Sequence, residues 1–303
     1  MPELPEVEVV RAGLAPFVTG MAVEGVEILD SRSLKRHDRR LGDFESCVIG
    51  HVFDTPTRRG KFLWIGFRDD EEHALLAHLG MSGQILVNEP GHHDNRLARI
   101  TLHLHSAPDD NRESTEWVLS FVDQRIFGSL AVDTLVKTGD HRPGGWGSRD
   151  PRVPSQVAHI ARDVLDPAFD DDGFVRTLHT RQSGIKRVVL DQSVISGIGN
   201  IYADEALWAA RLHYEQPAAS LSDSHIRALL YELRVVLERA LAEGGTSFDS
   251  QYVNVNGRSG YFAHSLNVYA QHGKPCSRCG EPLVRERFMN RYSHLCPSCQ
   301  QLR

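Results

Sequence analysis

The segment CSRCGEPLVRERFMNRYSHLCPSC, residues 276–299, specifies the fold at the end of the chain. Two Cys-x2-Cys pairs are separated by sixteen residues, a spacing typical of a zinc site made of four thiolates. The residues between the pairs are sufficient for a β-hairpin that brings the pairs together. A closed four-cysteine site leaves no open coordination position. We therefore expect one structural Zn²⁺ ion bound by Cys276, Cys279, Cys296 and Cys299.

The expected hairpin is rich in arginine. Arg285, Arg287 and Arg291 stand beside aromatic residues, a mixture that suits a nucleic-acid surface but also occurs at solvated hairpin tips. The whole chain of 303 residues has a formal net charge of −6, which argues weakly against a nucleic-acid partner. Residues 257–303 nevertheless contain seven Lys or Arg residues and only two acidic ones. A basic surface would be local to this tail.

Length and composition limit the class of protein. A chain of this length favours two domains, and 41% apolar with 24% charged residues excludes a disordered or collagen-like chain. No apolar run is long enough to span a membrane, and acidic residues occupy the positions where a signal peptide is basic. We expect a cytoplasmic protein with no membrane contact. Clustered cysteines in such a chain favour a metal over disulfides.

Hydrophobic patterns divide the chain into a β-rich part and a helical part. Val7, Val10 and Leu14 recur at helical spacing, and short apolar runs within residues 21–132 predict strands of a β-sandwich. The Gly- and Pro-rich segment 137–154 is typical of an interdomain linker or an exposed loop. Beyond it the pattern is helical. The clearest helix covers residues 223–243, with Ser222 as its N-cap and Gly244 at its end.

A glycine-rich turn leads into a helix in SGIGNIYADEALWAA, residues 196–210. Gly197 and Gly199 would let the backbone approach a ligand closely, and the free N–H groups of a helix start attract a phosphate. Asn200 could bind that phosphate or could simply cap the helix.

The N-terminus offers a nucleophile. With Met1 removed, Pro2 would carry a secondary amine that can attack an aldehydic carbon and form an iminium. Glu3 and Glu6 could then move protons nearby. The alternative is that Pro2 is an ordinary chain end and that the two acids only favour the helix dipole.

Other candidate residues are ambiguous when taken singly. Lys61 follows Gly60 at an expected hairpin turn, where it could be a solvated charge or could reach a phosphate or act as an acid. His78, Met81, Arg125 and Phe127 lie in the runs AHLGMSG and DQRIFGSL, and each alone is more typical of packing or a loop.

Taken together, the sequence resembles the formamidopyrimidine-DNA glycosylase family, bacterial repair enzymes that excise oxidised purines. Eight runs carry the resemblance and follow the family's order from the first residue almost to the last. They are MPELPEVE, RRGKFLW, HLGMSG, DQRIFGSL, SGIGNIYADEALW, GGTS, SGYFAHSLNVY and the paired CxxC. The resemblance implies an α+β fold with an N-terminal β-sandwich flanked by helices and a C-terminal helix-two-turns-helix domain followed by a four-cysteine zinc finger.

The resemblance also implies domain bounds and partners. We expect a catalytic domain over residues 1–137, a linker over 138–160, a helical DNA-binding domain over 161–250, and a lesion loop with the zinc finger over 251–303. The implied partner is double-stranded DNA with oxidised bases or abasic sites. We expect a monomer.

Site residues follow from the same resemblance. Pro2 resembles the nucleophile that attacks C1′ of the damaged nucleotide, Glu3 the acid that assists opening of the sugar ring, and Glu6 is a candidate proton shuttle. Lys61 resembles the lysine assigned to proton transfer and phosphate contact, and Arg291 the arginine linked to the final elimination. The positions that match DNA contacts of the family are His78, His93, Arg125, Arg181 and Asn200. Those that match side chains filling the gap left by the extruded base are Met81, Arg125 and Phe127.

The sequence departs from the family at two places. Arg181 stands where many relatives have lysine, which keeps the charge, and Asp249 lies in a loop where relatives are often basic. Two other functions remain open. One is an endonuclease VIII type glycosylase for oxidised pyrimidines, and the other is a non-catalytic zinc-finger DNA-binding protein.

Overall fold

The computed structural model forms two compact units. It describes residues 2–91, 96–106, 114–246, 255 and 262–302. Of these, the first unit holds Pro2, Val255 and the described part of 6–159, and the second holds 3–5, 160–246 and 262–302. Among the described residues, no helix combines the length and apolar character that crossing a bilayer requires.

The described part of the first unit contains one α-helix and two antiparallel sheets. Its elements are α1 (Leu4–Val18, whose first two residues belong to the second unit), β1 (Ala22–Ile28), β2 (Phe53–Arg59), β3 (Phe62–Phe67), β4 (His73–His78), β5 (Gly83–Asn88), β6 (Ala98–His105), β7 (Glu116–Asp123), β8 (Ser129–Lys137) and β9 (Arg152–Pro154), with short 3₁₀ helices at Ser31–Leu34, Arg39–Leu41 and Ser155–Val157. One sheet has the strand order β1-β6-β7-β5 and the other β2-β3-β4-β8-β9.

The two sheets share one hydrophobic core, so the predicted β-sandwich is confirmed. Alternate residues of each strand face the core, because successive side chains of a strand point to opposite faces. Leu63 and Leu75 from one sheet and Leu102 and Phe121 from the other are almost fully buried in this core. Helix α1 contributes its apolar face to the same core, as its helical spacing predicted.

Part of the Gly- and Pro-rich segment 137–154, predicted as an interdomain linker or an exposed loop, packs on β2. Trp146 and Arg58 exchange two backbone hydrogen bonds of 2.8 and 2.9 Å, and Gly144 and Gly145 are buried. A Cβ on Gly145 would overlap the carbonyl of Arg58. The glycines therefore permit a close backbone approach here, a role that composition alone does not distinguish from flexibility.

The second unit contains helices and one hairpin. Its elements are α2 (Asp171–His179), α3 (Ile185–Val189), α4 (Asn200–Ala209), α5 (Asp223–Ala242), β10 (Val284–Phe288) and β11 (Arg291–Leu295), with short 3₁₀ helices at Ala218–Ser220 and Phe262–Ser265. Helix α5 confirms its prediction, because the Ser222 side chain accepts a hydrogen bond from the His225 N–H and Gly244 follows with φ +77°. Leu230, Leu233 and their neighbours on α5 pack into the core of this unit.

Candidate active site and nucleic-acid interface

Glu3 is buried with its carboxylate at the start of α4. Its oxygens accept hydrogen bonds from the backbone N–H groups of Gly199 at 2.7 Å, Ile201 at 3.0 Å and Tyr202 at 3.4 Å. These N–H groups belong to the first turn of α4, where a helix has no internal acceptors and a positive dipole end. The carboxylate is therefore fixed in one position by three donors.

Two glycines make room for this arrangement. Gly197 has φ +87°, and a Cβ there would lie 2.7 Å from the Leu4 side chain. A Cβ on Gly199 would overlap the carboxyl group of Glu3. The sequence indicated a close approach to a ligand at these glycines. The structure shows a close approach to the N-terminal segment of the chain.

Asn200 connects α4 to the hairpin. The interpretation of this residue as a helix cap is wrong, since the N-cap is Gly199 and Asn200 is the first helical residue. Its amide donates a hydrogen bond of 3.0 Å to the carbonyl of Tyr292, the residue after Arg291. Glu3 already accepts the N–H groups that a capping side chain would take.

A buried Lys186–Asp204 pair lies between the helices and β11. The Lys186 ammonium is 2.6 Å from Asp204 Oδ1 and donates to the Ser293 hydroxyl at 3.0 Å. The other oxygen of Asp204 accepts the backbone N–H of His294 at 2.9 Å. Burial lowers the pKa of Lys186, and the Asp204 carboxylate opposes that shift. No sequence pattern indicated this pair, because a lysine followed by an arginine is typical of a solvated helix face.

The hairpin presents an exposed basic surface. Arg285, Arg287 and Arg291 are exposed along β10 and β11, and the Arg285 guanidinium lies over the Tyr292 ring at 4.9 Å. Phe288 turns inward, where the Lys186 ammonium lies 4.7 Å from its ring centre. Arg285 and Arg287 share one face of the hairpin, while Arg291 pairs with Phe288 on the other face. All three are exposed, which suits contact with a polyanion.

The four cysteines fit a zinc ion. Their sulfur atoms all lie within 4.8 Å of one another. Cys279 Sγ is 3.5 Å from Cys296 Sγ and 3.6 Å from Cys299 Sγ. A tetrahedral ion with Zn–S bonds of about 2.3 Å places its sulfur ligands about 3.8 Å apart. A Zn²⁺ ion bound by all four thiolates would have no open coordination position. It would stabilise the hairpin without taking part in the reaction.

Lys61 lies in the turn between β2 and β3 that the sequence predicted. Gly60 has φ +56°, and Lys61 is the second residue of this two-residue connection. The buried Arg58 guanidinium donates to the Gly60 carbonyl at 3.2 Å and to the Glu8 carboxylate at 2.8 Å. Because Glu8 is on α1, Arg58 joins the turn of Lys61 to the helix that begins two residues after Pro2.

His78 ends β4 near several cations. Its ring packs on Phe62 with centroids 4.8 Å apart, and its Nδ1 accepts the N–H of Gly80 at 3.2 Å. Burial, together with the positive charges of Arg36, Lys61 and Lys35, lowers the pKa of His78 to about 4. The ring is therefore neutral at pH 7, and any contact it makes with a phosphate uses a hydrogen bond rather than a charge.

The residues 79–82 and 124–128 form two adjoining turns, here called the paired turns. A Cβ on Gly80 would lie 2.5 Å from the backbone of Phe127, so the two backbones are in direct contact. The buried Asp123 carboxylate accepts the Gly128 N–H at 2.7 Å and the Ser82 hydroxyl at 2.5 Å. Met81 and Phe127 project from this frame with 38% and 50% of their surface exposed, and Arg125 is also exposed.

The structure distributes the candidate residues over the two units. Pro2, Glu6, Lys61, His78, Met81, Arg125 and Phe127 belong to the first unit, and Glu3, Arg181, Asn200, Arg291 and the four cysteines to the second. Arg181 is exposed just after α2. His93 and Asp249 lie outside the described residues.

Comparison with known proteins gives consistent matches along the chain. Residues 1–130 match the formamidopyrimidine-DNA glycosylase N-terminal domain, residues 160–251 the H2TH domain of the same enzymes, and residues 273–302 a zinc finger found in FPG and IleRS. The formamidopyrimidine-DNA glycosylase of Leifsonia xyli subsp. xyli is 61% identical over 302 residues, with 100% of both chains covered. That of Thermobifida fusca is 51% identical, covering 99% of this chain and 97% of its own.

Solved structures agree with the sequence comparison. A Lactococcus lactis FPG variant in complex with DNA containing Fapy-dG has a TM-score of 0.80 and 26% identity, covering 99% of this chain and 100% of its own. MutM in complex with DNA containing carbocyclic 8-oxo-G has a TM-score of 0.79 and 26% identity, with the same coverage. With the sandwich, the helical domain and the four-cysteine cluster all present, this chain belongs to the formamidopyrimidine-DNA glycosylase family.

Proposed function

We propose that this protein is a DNA glycosylase with abasic-site lyase activity that removes oxidised purines from double-stranded DNA in base excision repair. The observation that carries the proposal is the position of the Glu3 carboxylate. Glu3 directly follows Pro2, and three backbone N–H groups at the start of α4 hold its carboxylate in place. A non-catalytic DNA-binding protein has no need of a buried acid beside a potential amine nucleophile. The solved relatives contain DNA with Fapy-dG or 8-oxo-G, which favours purine over pyrimidine lesions.

The chemistry proceeds from the amine of Pro2, free after removal of Met1. Its lone pair forms a bond to C1′ of the damaged nucleotide, the glycosidic bond breaks, and the base leaves with a proton. The C1′–O4′ bond then opens to an iminium, with Glu3 assisting protonation of the ring oxygen. The iminium acidifies the C2′ proton. Its loss expels the 3′ phosphate, and a second elimination releases the 5′ phosphate.

The remaining candidates have supporting roles in this proposal. Lys61, held on its turn through Gly60 and Arg58, transfers protons and contacts a phosphate, and Glu6 serves as a proton shuttle. Arg291 on the exposed hairpin assists the final elimination. The residues proposed to contact DNA are His78, His93, Arg125, Arg181 and Asn200. Those proposed to fill the gap left by the extruded base are Met81, Arg125 and Phe127.

Organisation and location belong to the same proposal. We assign the catalytic domain to residues 1–137, the linker to 138–160, the helical domain to 161–250 and the lesion loop with the zinc finger to 251–303. The protein acts in the cytoplasm as a monomer on DNA. The Zn²⁺ ion supplies stability to the hairpin, and no reaction step passes through it.

Borohydride trapping tests the proposal. A duplex with 8-oxoguanine opposite cytosine, incubated with the protein and borohydride, should give a covalent complex whose cross-linked peptide begins at Pro2. Protein acetylated at the Pro2 nitrogen should give no complex, while protein mock-treated without the acetyl donor should trap fully. A cross-link at a lysine instead would contradict the assigned nucleophile.

A comparison of two substrates distinguishes a glycosylase for oxidised purines from an endonuclease VIII type glycosylase for oxidised pyrimidines. On matched duplexes, 8-oxoguanine opposite cytosine should be released faster than thymine glycol. Faster release of thymine glycol would favour the endonuclease VIII type of activity. Failure to trap on either lesion would favour the non-catalytic protein.

A further inference from the structure

The paired turns contain a strained residue. Ile126, between the two exposed residues Arg125 and Phe127, has φ +57°. A β-branched side chain is unfavourable in this left-handed region, and such a conformation persists only where surrounding contacts hold it. The frame made by Asp123 holds both ends of the 124–128 turn, because its carboxylate binds the N–H groups at Arg125 and Gly128. The strain lies between these two ends, at Ile126.

Lys35 holds the middle of the turn. Its ammonium donates hydrogen bonds to the carbonyl oxygens of Ile126 at 3.1 Å and Phe127 at 2.9 Å. The backbone of Lys35 directly follows the 3₁₀ helix Ser31–Leu34, in which Ser33 is fully buried and Leu34 packs against the sandwich core. One cation from a fixed segment thus binds two successive carbonyls, those of the strained residue and of the residue that follows it.

We propose that Lys35 is a positioning residue for base extrusion, an inference that rests on the proposed function. By holding both carbonyls, Lys35 keeps the turn in the conformation that presents Arg125 and Phe127 before DNA arrives. Filling the gap left by an extruded base then requires no ordering of the turn, because that conformational entropy is already lost in the free protein. Flipping a base is unfavourable by itself, so a preformed wedge favours the extruded state.

A phosphate contact is the competing role for Lys35. Its charge acts on His78 together with those of Arg36 and Lys61, so it lies in a cationic region. The two roles differ in their consequences. A phosphate contact strengthens binding to any duplex and weakens with added salt, whereas a positioning residue acts on the step that requires extrusion.

The test compares two single-turnover reactions on one duplex sequence, excision of 8-oxoguanine and cleavage at a preformed abasic site, which has no base to extrude. In Lys35→Met, the ratio of excision to abasic cleavage should fall about tenfold, as a small misplacement of aligned groups can cause. Lys35→Arg should restore most of the ratio, because the guanidinium can bind both carbonyls. Arg39→Met, which removes an exposed charge four residues away, is the matched control and should leave the ratio unchanged.

A rescue variant separates positioning from a general loss of stability. Asparagine tolerates the left-handed conformation, so Ile126→Asn added to Lys35→Met should recover much of the ratio. An unchanged ratio in Lys35→Met, or an equal fall in both reactions that disappears at low salt, would overturn the positioning role. The proposed function is tested separately, with the unmodified protein. It fails if that protein neither excises 8-oxoguanine nor forms the trapped complex, whereas the Lys35 variants test only the positioning role.

Discussion

The paired turns and the β10–β11 hairpin both present exposed side chains, but different forces hold them. A buried carboxylate from a neighbouring element supports each of them. Asp123 at the end of β7 accepts N–H groups of the paired turns, and Asp204 on α4 accepts the His294 N–H of the hairpin. The paired turns connect strands of a large sandwich, and the sandwich core supports them. The hairpin places Leu295 in the helical core, whereas the cysteine-bearing segments on either side of it pack in a small apolar cluster that includes Cys276 and Cys296. A loop on a large core can rely on hydrogen bonds, while a small hairpin needs a metal.

Removal of zinc should give the largest effect and tests this difference directly. A chelator should abolish protection of the amide protons in β10 and β11 against hydrogen exchange and leave those of the sandwich protected. The reason is that structural zinc binding contributes on the order of 10 kcal/mol to the folding of small zinc domains. Cys47→Ser, outside the cluster, serves as the control and should keep the hairpin protected. Persistent protection after chelation would show that packing alone holds the hairpin.

Lys186→Met should give the next largest effect. It tests how much the Asp204 carboxylate, which supports the hairpin, depends on its ion pair with Lys186. The substitution leaves Asp204 charged and buried with one partner fewer, which should lower the free energy of unfolding by about 3–5 kcal/mol. Chemical denaturation followed by far-UV circular dichroism measures this loss. Arg187→Met removes a neighbouring but exposed charge and should cost less than about 1 kcal/mol. Equal losses in the two variants would contradict the importance of the buried pair.

Features encoded over short stretches of sequence were predictable. The CxxC spacing indicated the metal cluster, the apolar periodicity of residues 223–243 indicated α5 with its Ser222 cap, and Gly60 indicated the turn that contains Lys61. In each case, neighbouring residues alone determine the geometry. The two-sheet sandwich also followed, because its strands are short and regularly interrupted.

Contacts between distant residues were not predictable. The sequence indicated either a phosphate contact or a helix cap at Asn200, but the Glu3 carboxylate binds the N–H groups at that helix start. Glu3 is almost two hundred residues away, and no local pattern reports that approach. Lys186 looks solvated for the same reason, since its partner Asp204 lies on another helix. The role of Asp123 was likewise not predictable, because its carboxylate binds Ser82, which lies on a separate turn.

Acid should destabilise the paired-turn side of the molecule through His78. The native ring binds a proton only below about pH 4, whereas the unfolded ring does so below about pH 6.5, its ordinary pKa. Between these values the unfolded state binds more protons, so stability falls as the pH drops from 6.5 to 4. The loss should approach about 3 kcal/mol. Unfolding measured across this range in the native protein and in His78→Gln, which removes the titrating group, checks it. Parallel pH curves would exclude His78 as the cause.

Ser82→Ala should have the smallest effect and separates stability from function within the paired turns. Asp123 loses the Ser82 hydroxyl but keeps the N–H groups of Arg125 and Gly128, so the free energy of unfolding should fall by only about 1 kcal/mol. Ser155 is a matched control, because its hydroxyl donates to the buried Asp133 in the same unit but away from these turns.

Ser82→Ala and Ser155→Ala should therefore lose similar stability. Only Ser82→Ala should also slow excision of 8-oxoguanine relative to abasic cleavage, because Ser82 joins the turn of Met81 to the turn of Phe127. If both variants slowed excision equally, stability of the sandwich would account for the effect. The hydrogen bonds of Asp123 would then support the fold without setting the position of the side chains that enter the DNA.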